Sequence, residues 1–247
     1  MNSLISTFLD WVYPPACIAC RSLLPLNQPQ RFICAHCQSL FEPIAAPFCT
    51  KCGSPAQSEV LQCASCYGKK FIFSHNHASF IYDELMRDLL HEMKFRNKKR
   101  VAQGLGLFWA EFIKKNSQCI PENISDFVLV PMPMHQKKQR ERGFNQAEIL
   151  TIPLSAALQI PIFDVLIRTV DTPPQSGLHP SQRAENVKDV FSIRRGHDVS
   201  GKNYILTDDI FTTGASLNEC AKVLKSAGAI HILCMTLAIS VKNNHKP

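Results

Sequence analysis

Two hydrophobic regimes divide this chain. From about residue 71 onward, short apolar runs recur at 77–82, 127–130, 188–193, 204–206 and 229–239. Runs of this kind are expected of strands buried on both faces, as in a parallel sheet. Between them, apolar residues stand three and four apart. Leu85, Leu89, Leu90 and Met93 mark one helix face, a second helix spans about 101–115, a third ends near Leu158, and Leu217, Ala221 and Leu224 mark a fourth. This alternation predicts an α/β domain. From about Arg168 to Lys188 the rhythm lapses, which reads as a long loop of the kind that forms lids.

Before residue 71 the pattern is different. Leu4, Ile5, Phe8, Leu9 and Val12 follow helical spacing around Asp10, with no basic region ahead of them. That reads as a short amphipathic helix and not a signal peptide. The rest is rich in Pro and Cys and poor in apolar material. The division expected is a Cys-rich module over 1–70 and an α/β domain over 71–247. No apolar run reaches the roughly 20 residues of a membrane span, so a cytoplasmic location is expected. The net charge of +7 favours acidic partners.

In a reducing compartment, eleven cysteines signify metal or chemistry and not disulfides. Eight of them form four Cys-x-x-Cys pairs: Cys17/Cys20, Cys34/Cys37, Cys49/Cys52 and Cys63/Cys66. Each pair points two thiolates at one ion, and two pairs complete a four-cysteine zinc site. The simplest arrangement gives Cys17, Cys20, Cys34 and Cys37 to one zinc and Cys49, Cys52, Cys63 and Cys66 to another; a cross-braced arrangement stays open. Such closed sites are structural, and metal must supply much of the folding energy of so short a region. The module is then either a basic surface for nucleic acid or protein, through Arg21, Arg31, Lys51, Lys69 and Lys70, or purely architectural.

The chemistry concentrates at 204–216. The run Tyr204–Leu206 reads as a strand, two carboxylates, Asp208 and Asp209, stand at its carboxyl end, and the turn Thr212-Thr213-Gly214-Ala215-Ser216 leads into a helix. Ligands of open α/β sheets bind at strand carboxyl ends. Gly214 allows close backbone approach to an anion, and free amides at a helix start attract phosphate. The segment therefore offers a phosphate cradle beside carboxylates suited to sugar hydroxyls or a metal. Two further segments are basic. One is the cluster Lys94, Arg96, Lys98, Lys99 and Arg100, in which Lys94 follows an apolar helix face directly. The other is the loop Lys137, Lys138, Arg140 and Arg142, which continues as Gly143-Phe144-Asn145-Gln146 into a helix. Lys137 and Lys138 read as an exposed part of that loop.

The 204–216 segment resembles the phosphoribosyl pyrophosphate (PRPP) motif of type I phosphoribosyltransferases. Together with the four Cys-x-x-Cys pairs, Arg142-Gly-Phe-Asn-Gln146 and the series Arg168, Gln175, Leu178, Arg183, Asn186-Val187 and Phe191, it makes the chain similar, over nearly its whole length, to the ComF family of competence-associated proteins. The resemblance implies a double zinc ribbon joined to a type I phosphoribosyltransferase fold: a parallel sheet of about five strands flanked by helices, with a small hood near 71–83. It implies that Asp208 and Asp209 contact the ribose hydroxyls, that Thr212, Thr213, Gly214, Ala215 and Ser216 hold the 5′-phosphate, and that Lys94, Arg142 and Arg183 serve the same ligand. In an active enzyme, Mg2+ would bridge pyrophosphate and ribose oxygens, and the Asp pair would stabilise an oxocarbenium-like C1. The partners implied are PRPP, single-stranded DNA and other DNA-uptake or recombination proteins. Three functions follow: a PRPP-binding protein that handles incoming single-stranded DNA in natural transformation, a phosphoribosyltransferase with an unidentified acceptor, and a PRPP-sensing regulatory module.

Overall fold

The computed structural model describes residues 14–25, 32–58, 60–95, 98–116, 120–172 and 185–241. The expected helix before residue 13 and the residues Arg31, Arg96, Gln175, Leu178 and Arg183 lie outside them. Four apolar runs form one parallel sheet: β1 (Asn76–Ile81), β2 (Phe127–Pro131), β5 (Asn203–Phe211) and β6 (Ile232–Ile239), in the order β1-β6-β5-β2. The two remaining strands, β3 (Leu166–Arg168) and β4 (Phe191–Ile193), pair antiparallel with each other.

Two expectations change here. The segment expected as a hood supplies β1, an edge strand of the main sheet. Phe80 and Ser79 of β1 are buried, and Ser79 Oγ accepts a hydrogen bond from the Trp109 indole at 2.8 Å. The run at 188–193 was expected in the main sheet. Only 191–193 are extended, and they are taken up by β3; the flank of β2 is instead met by a single parallel bridge from Ile162 to Leu129.

The helices are α1 (Ala35–Ser39), α2 (Glu84–Met93), α3 (Lys99–Lys115), α4 (Gln136–Arg142), α5 (Gln146–Leu158) and α6 (Ala215–Ser226). Local chemistry sets their ends. Asp83 caps α2 by accepting from the Met86 amide at 2.8 Å, and Asn145 caps α5 by accepting from Ala147. Met86, Leu89, Leu90 and Met93 form the buried stripe of α2. Among the described residues no helix is long and apolar enough to cross a membrane.

Alternation along the strands splits the interior in two. Ile205, Leu233, Met235 and Leu129 pack with α2, α3 and α5, whereas Tyr204, Leu206, Ile232 and Cys234 pack with α6 and the β3–β4 pair. Each cysteine quartet joins one of these cores. Cys17, Ile18, Ile33, Cys37 and Phe41 belong to the first, and Ile44, Cys49, Cys52, Cys66 and Phe73 to the second.

The quartets are Cys17, Cys20, Cys34 and Cys37, and Cys49, Cys52, Cys63 and Cys66; within each the sulfurs lie within 4.8 Å of one another. The pairing is thus sequential and not cross-braced. Backbone amides point at the sulfurs: Cys34 to Cys17 Sγ at 3.4 Å, Cys37 to Cys34 Sγ at 3.4 Å, and Cys63 to Cys49 Sγ at 3.3 Å. Amide donors of this kind orient and support sulfurs that ligate a metal. Four sulfurs with this backing fit a closed tetrahedral zinc ion.

The segment joining the quartets also covers the free side of β1. Ile44 donates to Ser79 O and Ile81 donates to Glu42 O, each at 2.9 Å, while Asn76 donates to Lys51 O at 3.0 Å. Gly53, at φ +78°, sits so close that a Cβ there would lie 2.9 Å from both Ala78 N and Asn76 O.

This shared packing gives a prediction. Elemental analysis of protein purified without added metal should find two zinc ions per chain. In a Trp11→Phe background, Trp109 is the sole tryptophan and lies in the first core. Stripping the metal should shift its emission to the red, because structural zinc contributes on the order of 10–16 kcal/mol to such modules. Native emission from metal-free protein would show that ribbons and sheet fold independently.

Candidate functional site

The site begins where β5 outlasts its neighbours' apolar pattern. The strand does not end at Leu206 but continues through Asp208 and Asp209 to Phe211. Buried Thr207 anchors it below, its hydroxyl 2.5 Å from that of Thr151 on α5. Asp208 Oδ1 accepts from the Asp209 amide at 2.9 Å. Asp209 is 4% exposed, and its Oδ2 is buried with no hydrogen-bond partner. The Lys94 ammonium, at the C-terminal cap of α2, stands 3.8 Å from that oxygen. Burial, followed by the adjacent Asp209 charge, pushes the Asp208 carboxyl well above the ordinary carboxylate range.

A cavity of about 740 Å³ opens over this pair. Lys94, Arg142, Asp208, Asp209, Thr212, Gly214, Ala215 and Ser216 all line it. Thr213 is not among the lining residues; its hydroxyl accepts from the Ala215 amide at 3.4 Å. Gly214 adopts φ +76° as the N-cap of α6, and a Cβ there would lie 2.7 Å from Phe211 and 2.9 Å from Phe71. Only glycine meets both demands.

The opposite wall is cationic. Arg142 ends α4, followed by Gly143 in the left-handed conformation, and donates to Gln146 Oε1. Desolvation depresses its pKa, with Asp209 opposing that shift. Two lining cations were not assigned to the site from sequence. Lys138 was read as part of an exposed basic loop, yet its ammonium donates to Thr172 O at 2.7 Å and faces the cavity. Arg168 was read as the start of a loop, but it closes β3, packs over the Phe191 ring at 5.5 Å and donates to Thr172 Oγ1. Burial lowers its pKa as well. Neither carries a local signal, since β3 is short and its pairing is not local.

Much of the 94–100 cluster is engaged elsewhere. Lys98 pairs with Glu92 at 3.0 Å, as does Arg21 of the first quartet's knuckle. Arg100 donates to Ala16 O at 3.2 Å and lies over the Phe32 ring at 5.6 Å. The arrangement as a whole sets a carboxylate pair between a cationic wall and the amide-rich start of α6. It suits a molecule with hydroxyls at its centre and anionic groups at both ends.

Residues 8–67 match the family described as "Double zinc ribbon domain", and residues 145–247 match "Phosphoribosyl transferase domain". Competence protein F of Haemophilus influenzae is 30% identical, the match covering 90% of this chain and 96% of that one. Competence protein ComFC of Bacillus subtilis is 30% identical over 82% of each chain. DNA utilization protein YhgH of Escherichia coli is 29% identical over 91% of this chain and 98% of its own.

Two substitutions test the site. Gly214→Ala should cost about 1–3 kcal/mol in chemical denaturation, because strain and the two phenyl contacts act together. A stability equal to that of the parent would contradict the crowding described. Asp208→Asn addresses the raised carboxyl. A carboxyl with a raised folded pKa favours folding when protonated, and that contribution is lost as pH rises from the ordinary range through the folded value. At neutral pH the ligand-free Asn variant should therefore melt a few degrees higher than the parent, the difference shrinking toward pH 4. A lower melting temperature at pH 7 would show that the charge is compensated.

Proposed function

Because this chain belongs to the ComF family, a double zinc ribbon joined to a type I phosphoribosyltransferase fold, we propose that it binds PRPP with Mg2+ and handles incoming single-stranded DNA in the cytoplasm during natural transformation. The observation that carries the ligand assignment is Asp209 Oδ2, buried and without a hydrogen-bond partner, next to a desolvated Asp208. Adjacent carboxylates, one of them buried, are costly unless a cation or hydroxyl donors complete them. The ribose diol of PRPP supplies donors, and Mg2+, held beside Asp208 and Asp209, would supply charge neutralisation.

In this reading the chain's residues divide the ligand among them. Asp208 and Asp209 orient the ribose. Thr212, Gly214, Ala215 and Ser216 hold the 5′-phosphate at the start of α6, while Thr213, which does not line the cavity, braces the turn. Lys94, Lys138, Arg142 and Arg168 face the pyrophosphate as cations held in place by their own neighbours. Arg183 is assigned to the same ligand by the family pattern alone. The functional division we adopt is a zinc module over 1–70 and a phosphoribosyltransferase-type domain over 71–247. The relatives' names connect the chain to competence and DNA utilisation. Its net charge of +7 and the exposed Lys69, Lys70 and Lys99 suit a phosphate backbone. Transfer to an acceptor is the second reading, favoured by a cavity roomier than a phosphorylated ribose fills.

Calorimetry with Mg-PRPP should give a saturable isotherm that Asp208→Ala combined with Asp209→Ala abolishes, while zinc content and far-UV dichroism are kept. Unchanged affinity in that double variant would place the ligand elsewhere. For DNA, binding of unstructured oligonucleotides should weaken steeply with salt and prefer single strands over duplex. Reversing Lys69, Lys70 and Lys99 to Glu should reduce the log–log salt slope by about 0.7 for each phosphate contact removed. No binding by the parent at low salt would end the direct-handling assignment.

A further inference from the structure

Phe95 is the large apolar side chain at the cavity that folding does not explain. It lines the cavity yet is 54% exposed, while the apolar stripe of α2 just before it is fully buried. Its backbone is fixed. The Phe95 amide donates to Glu92 O at 3.1 Å, and its carbonyl accepts from the Lys98 amide at 3.3 Å. Glu92 is in turn clamped by Lys98 and by Arg21 of the first cysteine quartet's knuckle. His91 braces the ring at 4.9 Å, with the two planes at 78°. A braced turn thus holds a phenyl ring at the rim, one residue beyond the ammonium that faces Asp209. Tyr82, at the end of β1, lines the same cavity.

Resting on the reading above, we infer that Phe95, at the rim of the cavity that Tyr82 also lines, forms a base-stacking subsite, and that its occupant is an unpaired nucleobase of a single strand. Phe95 has no polar atom with which to read a base edge, and the hydroxyls of Tyr82 and Ser240 add few donors. Recognition therefore proceeds through the π-face, which every base presents, and tolerates any sequence. Of the cations flanking Phe95, Lys94 reaches inward to Asp209, Lys98 is exposed but paired with Glu92 at 3.0 Å, and Lys99 is exposed. Cations on either side of an aromatic platform match a strand whose backbone passes along the rim while one base turns toward the ribose site. An uncharged peptide or a neutral lipid would not use this charge pattern.

The test uses the full-length zinc-loaded protein and a thymidine dodecamer carrying one central 2-aminopurine, titrated by fluorescence with Mg-PRPP affinity measured in parallel. Stacking should quench the probe. Phe95→Ala should abolish the quench and weaken oligonucleotide binding by about fivefold to a hundredfold, from the 1–3 kcal/mol typical of one base–aromatic stack. Phe95→Trp should restore both, and Phe95→Leu, apolar but without a π-face, should not. Three outcomes overturn the inference: no quench by a parent that binds Mg-PRPP, an oligonucleotide affinity indifferent to Phe95→Ala, or an equal loss for both ligands, which would signify a damaged cavity. If the parent binds neither ligand, the PRPP assignment fails first and takes the subsite with it.

Discussion

Everything at the cavity end of this molecule answers to two carboxylates placed on consecutive residues of one strand. Neighbours on a strand face opposite layers, and Asp208 and Asp209 obey that rule. Asp208 lies toward the layer that holds Cys220 and Cys234, whose thiols its charge helps to push up, whereas Asp209 lies toward Lys94 and Arg142. They share a cavity because it sits over the carboxyl end of the strand. Within the protein the repulsion is only partly relieved, by one amide, by Lys94 and by the longer-range charges of Arg142 and Arg168. The Gly214 turn, the α4 arginine and the cap of α2 are all arranged around that residual charge.

The cysteine quartets bear on this site through packing and not through chemistry. Closed four-sulfur sites offer no open coordination position, and neither quartet lines the cavity. Their influence passes through contacts. Ile18 and Phe41 complete the core beneath α2 and α3, and Arg21 grips Glu92 on the last turn of α2, two residues before Lys94. The metal module is thereby part of the frame that positions a cation against Asp209.

What the sequence made legible was whatever is encoded locally. The Cys-x-x-Cys spacing, the helical stripes of α2 and α6, and the strand–turn–helix from Tyr204 to Leu224 all lie within short windows. What it hid depends on distant pairing. The strand at 77–82 was legible, but its place at the edge of the main sheet instead of in a hood is decided by its register with Cys234–Ile239, far away in the chain. Arg168 reaches the cavity only because β3 finds β4, and Lys138 because Thr172 and Asp171 draw it inward. Phe95 stands two residues past Met93, off the helical stripe, and the way α2 ends sets it at the cavity rim facing water.

The cover over β1 has a consequence for the fate of this chain in a cell short of metal. An uncapped edge strand offers unpaired amides and carbonyls to any other extended segment. Here that row is occupied by residues 42–44 and 51, which lie between and within the cysteine quartets. A chain that loses its ions would lose its edge protection along with its fold. Its copies would meet strand to strand, so metal starvation would be felt as self-association and not as a quiet loss of activity.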